Sequence, residues 1–579
     1  MNKLRDKIEK IRKNLPENFS LELDNNPGLY YNDRKNGLQR ICNPIAVTAI
    51  KRKADGTAYG KEITFWSVDK KEYTCYIIQK TLLDINATLN ELVDIGLNIP
   101  KATLKSNLLY YLSETYPAER VFEVDKIGWA NSDFDTYIYP VVASNELESE
   151  TNEKLVLSPD LKKCGFGIKG SLKQWQDNIC RYCENNENLT TGLCIGLSSP
   201  ILRPLDLNGA IYNFVGRSST GKTTAGYVTA SLGGNHEFVK TWRLTSNGLE
   251  GIAEQHNDSL LVLDELSQVS GKDSGNNAYM IVNGSGKVRS DKNGNPKNIK
   301  TWRLNVISTG EICMAEKINE GGERVKGGQT VRAIDIYAEI ENGYGIFNDL
   351  HSFSGGSELS NWLKRQTNLY YGVPMYEYTK EIAKGDNIEK LKDIYTIQRE
   401  KLYSDFSLRN ADGQVQRVAD LFAGHITAGI FASSDYLGIL THNTVGIEEN
   451  VTKVFSKWLA NRGTVKSQEE EQIISHVRGF LDMHQNRFKT IIPGVHGVGE
   501  ARSYNNLLGL KITENEKETY YIFPKAFEEE ICNGFDKKLT KQILKRKGIL
   551  EIDQDGSNRK CPFDGFKGKR MVKLVLKNS

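Results

Sequence analysis

Two short stretches of this chain hold residues suited to phosphate chemistry. The first is "GRSSTGKTT", comprising Gly216, Arg217, Ser218, Ser219, Thr220, Gly221, Lys222, Thr223 and Thr224. It fits the pattern G-x-x-x-x-G-K-[ST]. Glycines at these positions let a backbone curl until its N–H groups face a phosphate, and a following helix adds a positive dipole. Lys222 would then reach the β- and γ-phosphates of ATP, and the Thr223 hydroxyl would hold Mg²⁺. The second stretch is "DSLLVLDELSQ", in which Asp264 and Glu265 end an apolar run. Asp264 would act on Mg²⁺, directly or through water. Glu265 would polarise an attacking water as general base. Alone, such a pair would be an ordinary acidic first turn of a helix. Beside a phosphate loop it reads as the second half of a hydrolysis site.

These residues need strands to hold them. Ile211–Val215 is an apolar strand leading into the loop, and Leu260–Leu263 is another leading into the acids. In an open α/β sheet, ligands gather at the carboxyl ends of such strands. Asp264 lies 42 residues after Lys222, room for one more strand and helix; Glu237–Thr245 is the predicted strand. A helix is predicted near Asn276–Val282, then a fourth strand over Arg303–Ile307 and a fifth over Ala333–Tyr337. Ser308 and Thr309 end the fourth strand, where a hydroxyl can touch a γ-phosphate or its attacking water. Which of the two does so stays open. Arg332, just before the fifth strand, is either a salt-bridged surface residue or an arginine offered to a neighbouring subunit. Arg417 lies near the start of a long amphipathic helix over Asp412–Ala432, facing either water or a bound nucleotide.

Between the acids and the fourth strand runs "NGSGKVRSDKNGNPKNIKTW". It carries Lys287, Arg289, Lys292, Lys297 and Lys300, with Asn293-Gly294 as a hairpin turn. A basic hairpin here would sit on a strand that ends beside the phosphates. It reads as a lever tip that grips nucleic-acid phosphates, set against the plainer possibility of a solvated loop.

The whole chain has 579 residues, 39% hydrophobic and 26% charged, with net charge +3. That is the make-up of a multi-domain globular protein, and any basic surface must be local. One such place is Asn533–Ser579, with 13 basic and 5 acidic residues. There "YYIFPKAFEEEICNGFDKKLTKQILKRKGILEI" and the segment after it read as strand, two helices and two strands around a Lys-rich loop. That is the pattern of a winged helix, with Asp536 capping the basic helix. It could serve DNA or a protein partner. The first 124 residues mix helices and strands without a visible catalytic group. Nine scattered cysteines, including Cys180 and Cys183, read as reduced core thiols rather than a zinc knuckle. No run is apolar and long enough for a membrane span, and no secretory leader is visible, so a cytoplasmic protein is expected.

The order of parts resembles the AAA+ ATPases of the pre-sensor-hairpin group, and within them the MCM-like helicases. "DKIGWAN" (Asp125 to Asn131), "TWRLTSNGLEGIAEQHNDSLLVLDEL" and "GGQTVRAIDI" are similar to an uncharacterised-domain family of phage and mobile-element ATPases. That family includes MCM-like replicative helicases of staphylococcal cassette chromosome elements. The resemblance implies an α/β fold: an AAA+ core with a pre-sensor-1 hairpin, an N-terminal α+β domain and a C-terminal winged helix. The expected domains are 1–124, a core over 125–340, a helical lid region over 341–445 and the winged-helix region over 446–579. It further implies ATP sites shared between subunits of a ring, most simply a hexamer. Arg332 is then an arginine finger and Arg417 a sensor-2 residue. One departure is that these proteins generally use Asn as sensor 1, where this chain has Ser308-Thr309. The expected activity is ATP-driven unwinding of forked or single-stranded DNA for replication of a mobile element, with element-encoded partners. The competing expectations are an ATP-switched DNA-binding initiator and a remodeller of protein complexes.

Overall fold

A computed structural model describes residues 15–53, 57–124, 126–140, 154–157, 164–289, 299–321, 332–340, 342–463, 468–491, 506–514, 517–553, 556, 558–563 and 565–577. The chain is a mixed α/β protein of two units, residues 1–402 with 419–458, and residues 403–418 with 459–579.

The first unit begins with a three-stranded antiparallel sheet over Phe19–Glu22, Gly28–Asp33 and Gly37–Cys42. A five-stranded mixed sheet follows, ordered Lys154–Leu157, Arg120–Val124, Ile45–Lys53, Gly60–Trp66, Glu72–Ile78. Leu29, Ile45, Val47, Ile63, Phe65, Leu108 and Tyr111 share one core there. Lys61 lies within this block, 1% exposed. Its ammonium donates to the carbonyls of Leu112, Ser113 and Thr115 at 2.6, 2.5 and 2.9 Å. A cation there satisfies the orphan carbonyls that end helix Lys105–Glu114.

A further sheet of this unit has five parallel strands: β1 Ile211–Val215, β2 Val239–Thr241, β3 Leu260–Asp264, β4 Asn305–Gly310 and β5 Ala333–Tyr337. Their spatial order is β2-β3-β4-β1-β5. β1 and residues Leu260–Leu263 of β3 are buried throughout, as strands covered on both faces must be. Three helices of this unit are α1 Lys222–Ala230, α2 Ser246–Gln255 and α3 Gly271–Asn283. The strand expected over Glu237–Thr245 is shorter, because Trp242 turns inward and the Thr245 hydroxyl caps α2 at Gly248 N, 3.1 Å. The fourth strand runs two to three residues later than expected, so that Thr309 and Gly310 are still paired.

A buried junction explains two of the motifs. Asp258, 0% exposed, takes the Trp129 N–H at 3.2 Å and the Arg203 guanidinium at 3.1 Å. Tyr137 donates to the Asp258 carbonyl at 2.8 Å, and Trp129 Nε1 to Pro200 O at 2.6 Å. A Cβ on Gly128 would stand 2.5 Å from Asp258, at a φ of +98°. "IGWAN" and "HNDSLL" are thus two halves of one joint that fixes β3.

The second unit holds a sheet ordered Phe488–Ile491, Gly509–Glu514, Lys517–Ile522, Arg570–Lys577, Leu550–Glu551. Helix Lys537–Arg546 buries Thr540, Ile543 and Leu544, and Asp536 caps it by accepting from Leu539 N at 2.7 Å. Much of its positive charge is matched locally. Lys541 pairs with Glu528 at 2.8 Å, Arg546 and Lys547 with Glu470, and Arg559 and Arg570 with Asp553. Lys538, Lys545 and Lys567 are exposed.

Seven of the nine cysteines are buried and all are free thiols. Cys180 accepts hydrogen bonds from the Thr441 N–H and hydroxyl. Among the described residues, no group of His, Cys, Asp and Glu is arranged to hold a metal through three or more of them, and no helix is long and apolar enough to cross a membrane.

Candidate functional site

β1 delivers the chain to a loop that must reverse tightly before α1. Gly221 does this at φ +94°, where a Cβ would also meet Ile346 Cγ2 at 2.7 Å. Ser219, at φ +64°, is one of the few non-glycine residues in the left-handed region. Strain of this kind costs about 1–2 kcal/mol and marks sites where geometry serves function. α1 begins without a side-chain cap, which leaves its first N–H groups for an anion. Lys222 is mostly buried, and its ammonium donates to Gly216 O at 2.8 Å and Arg217 O at 2.6 Å. Burial holds its pKa below the usual lysine value.

The loop is braced from outside by the segment after β5. Ile346 N–H donates to Thr220 O at 2.9 Å. Glu339 grips Arg217, accepting from its backbone N–H at 2.9 Å and from its guanidinium at 2.7–3.0 Å. Those bonds hold the Glu339 carboxyl down at about 2. The same segment forms one wall of a cleft of about 520 Å³ against Ser219–Thr224. Tyr344 and Phe347 supply its rings, and Ser360, Asn361 and Lys364 its polar side. Ser360 Oγ lies 2.5 Å from Thr224 Oγ1. None of these five residues belongs to a motif; the Gly-aromatic alternation of "NGYGIF" was the available hint.

At the end of β3, Thr223 Oγ1 approaches Asp264 Oδ1 at 3.5 Å. Thr309 donates to the same carboxylate oxygen and accepts the Glu265 N–H at 3.2 Å. Glu265 is exposed, at φ +60° and ψ +70°. Ser308 points the other way, as alternate residues of a strand do. It is fully buried, donates to Asn213 Oδ1 at 3.0 Å and accepts Trp242 Nε1 at 3.0 Å. Of the two hydroxyls left open by the sequence, Thr309 is the one among the acids.

The polar row continues across the sheet. Asn213 Nδ2 donates to Asp335 Oδ1 at 2.8 Å. Burial pushes the Asp335 carboxyl up to about 6, partly offset by that bond and by the Met314 N–H. The folded form therefore holds this proton more tightly than the unfolded chain, where aspartate titrates near 3.9. Stability is expected to fall as pH rises from about 4 to about 6, by up to about 3 kcal/mol. Asp335→Asn should remove that slope and raise the melting temperature above pH 6. Melting curves at pH 4, 5 and 7 check this; an unchanged pH profile in the variant contradicts it.

Arg332 is not at this edge. It precedes β5, its carbonyl accepting Ile211 N–H at 2.8 Å, level with the start of β1. One five-residue strand, about 16 Å, separates that level from the loop. Arg417 belongs to the second unit and is exposed. Of the hairpin, Lys292 and Lys297 lie outside the described residues. Ser285 bridges Thr301 at its base. Lys287 is exposed. Arg289 is taken by Glu250, whose side chain is 1% exposed, and by Asn247 at 2.9 Å. Glu250 also accepts the Lys287 N–H at 2.7 Å, and Lys300 pairs with Glu254 at 2.6 Å. Two of the five basic residues thus fasten the hairpin base to α2.

A comparison with curated proteins found no match. Residues 22–301 match the family model described as a domain of unknown function, DUF927. Among solved structures, the one described as "SCCmec type IV Cch - active helicase" is similar with a TM-score of 0.69 and 17% identity, over 97% of each chain. The C-terminal region of NrS-1 is 13% identical over 71% of this chain and 92% of that one, with a TM-score of 0.23. NtrX from Brucella abortus in complex with ADP is 14% identical over 45% and 67%, with a TM-score of 0.17. The last two likenesses are too slight to bear on the fold. The chain shares its fold, along nearly its whole length, with the first.

Proposed function

We propose that this chain is an AAA+ ATPase that drives movement along DNA and unwinds it, as an MCM-like helicase of a mobile element. The observation that carries this is the convergence of Lys222, Thr223, Asp264, Glu265 and Thr309 at one edge of a β2-β3-β4-β1-β5 parallel sheet. Catalysis at this edge proceeds as follows. The α1 N-terminus and the backbone of residues 216–221 bind the phosphates of ATP. Lys222 exchanges its loop carbonyls for the β- and γ-phosphate oxygens. Thr309 orders the acid pair through Asp264 and the Glu265 N–H, and the Glu265 carboxylate takes the proton of the attacking water. Tyr344, Asn361 and Lys364 line the space left for base and sugar.

The Thr223 hydroxyl and Asp264 carboxylate are hard oxygen donors side by side, the small protein share that Mg²⁺ takes beside phosphates. Those two residues would hold the ion, whose charge would offset that of the transferring phosphoryl group.

Arg332 precedes β5 one strand length, about 16 Å of backbone, from the level of its own loop, which supports assigning it to a neighbour's site in a ring of copies. DNA meets the hairpin, with Lys287, Lys292 and Lys297 touching phosphates while Arg289 and Lys300 hold the base in register. Arg417 serves as a sensor of nucleotide. The second unit's helix Lys537–Arg546 and the strands beside it act as a winged helix. Lys538 and Lys545 are its outward cations, to which DNA rather than a protein is assigned.

A remodeller of protein complexes is the second reading. Against it, none of the hairpin residues 284–301 is aromatic. ATP turnover should rise with single-stranded DNA and stay flat with an unfolded protein. Stimulation by unfolded protein alone would reverse the choice.

A further inference from the structure

Gln268 lies on the surface, three residues after the second acid of the pair. Its amide nitrogen donates to Glu265 Oε2. An ionised carboxylate can only accept, so the nitrogen of the amide, not its oxygen, is the atom that faces it. The backbone makes this pairing. Gln268 N–H donates to Glu265 O at 3.0 Å, closing a single 3-10 turn over Leu266–Gln268. Side chains three residues apart stand in line in such a turn.

The turn is anchored on both sides. Leu266 and Val269 are buried. A Cβ on Gly310 would stand 3.0 Å from Leu266 Cβ, so the turn packs directly on the end of β4. Lys317, also buried, donates to Ser267 O at 3.2 Å and pairs with Glu320 at 2.9 Å. After the turn, Ser270 caps α3 by accepting the Asp273 N–H at 3.2 Å. Before it, the Glu265 N–H is held by Thr309 at 3.2 Å. The exposed amide of Gln268 therefore stands on a backbone fixed at both ends.

We infer that Gln268 is a positioning residue for Glu265, holding one oxygen of the general base so that the other faces the attacking water. This rests on the reading of Glu265 as that base. Glu265 is exposed, and a free glutamate side chain samples many rotamers. A base that must first be ordered loses that freedom at the moment of reaction. Thr309 fixes only its backbone. Gln268 fixes its carboxyl group, and it does so through Oε2 alone. Oε1 keeps its lone pairs for the proton of the water. An amide also suits the task because it is uncharged, so it does not neutralise the carboxylate as a lysine or arginine would. Thr309 and Gln268 thus hold the two ends of one residue, the first from β4 and the second from the turn packed upon it.

The test uses the full-length chain with ATP and Mg²⁺, and follows phosphate release. Five proteins are compared: the parent, Gln268→Met, Gln268→Glu, Glu265→Gln and the double variant Glu265→Gln with Gln268→Met. Methionine keeps the length of the side chain and removes its donor. Leaving one glutamate side chain unordered corresponds to roughly a five- to thirty-fold loss of rate. Gln268→Met should lose that much in kcat at an unchanged KM for ATP and an unchanged melting temperature. Gln268→Glu keeps the shape, offers no donor and sets a like charge beside the base, so it should fall at least as far. In the double variant the methionine should cost nothing beyond Glu265→Gln alone, because a residue that acts through another is silent once that one is lost. If Glu265→Gln keeps parental turnover, the underlying reading of Glu265 is wrong. If Glu265→Gln is slow but Gln268→Met keeps parental kcat or exceeds it, the inference about Gln268 alone is overturned. It is overturned equally if the methionine costs the same factor in both backgrounds.

Discussion

Glu265→Gln should bind ATP as the parent does and hydrolyse it about 10²–10⁴ times more slowly. The range is what a positioned general base contributes. The amide keeps the size of the side chain and loses the ability to accept a proton. Residue 265 is exposed, so the substitution removes no core contact. The left-handed backbone at residue 265 is retained, since glutamine tolerates it no worse than glutamate. Filter binding of labelled ATP together with phosphate release checks the pair of expectations. Binding intact with turnover lost assigns the proton transfer to Glu265. Parental turnover in the variant would require another base, and Asp264, engaged by Thr309 and facing Thr223, would be the next to examine.

The second large effect concerns Arg332. Removing a transition-state arginine costs about 10³–10⁵ in rate. Arg332→Ala should therefore be almost inactive, and so should Lys222→Ala, which removes the lysine from the phosphates. Mixing the two inactive proteins should restore part of the turnover. Some interfaces in mixed rings then pair an intact loop with an intact arginine. The position of Arg332 at the far edge of the sheet, level with Ile211, is what makes this expectation sharp. Failure of the mixture to recover, with mixed assembly shown by cross-linking, would mean that Arg332 does not serve a neighbouring subunit.

The turn from β1 into α1, which we propose binds phosphate, was legible because the demands on it are local. A tight turn into a helix needs glycine at position 221, and a lysine and a hydroxyl must follow at once. The acids were legible because they end an apolar strand. β1, β3 and β5 were placed from their apolar runs alone. What could not be read was any choice that depends on facing. Ser308 and Thr309 are adjacent hydroxyls, and only the strand's alternation turns one into the core and the other toward Asp264. The cleft wall was equally hidden, since Tyr344, Asn361 and Lys364 join the loop from more than 120 residues downstream. Charge counting misled in one respect. Arg289 and Lys300 look like free cations in the sequence, yet Glu250 and Glu254 on α2 answer them. The basic C-terminal stretch is likewise partly matched by Glu470, Glu528 and Asp553. Acids that the fold brings beside a basic run decide how much of it is available to DNA.

The central claim is that hydrolysis at this site drives the separation of DNA strands. Strand displacement on forked DNA with 5′ and 3′ single-stranded tails, with ATP and Mg²⁺ present, tests it most directly. The parent protein should release the labelled strand from a fork carrying one tail polarity in preference to the other. Glu265→Gln should bind the same fork and release nothing. Release by the variant at the parental rate, or none by the parent while it hydrolyses ATP on that fork, would contradict a helicase.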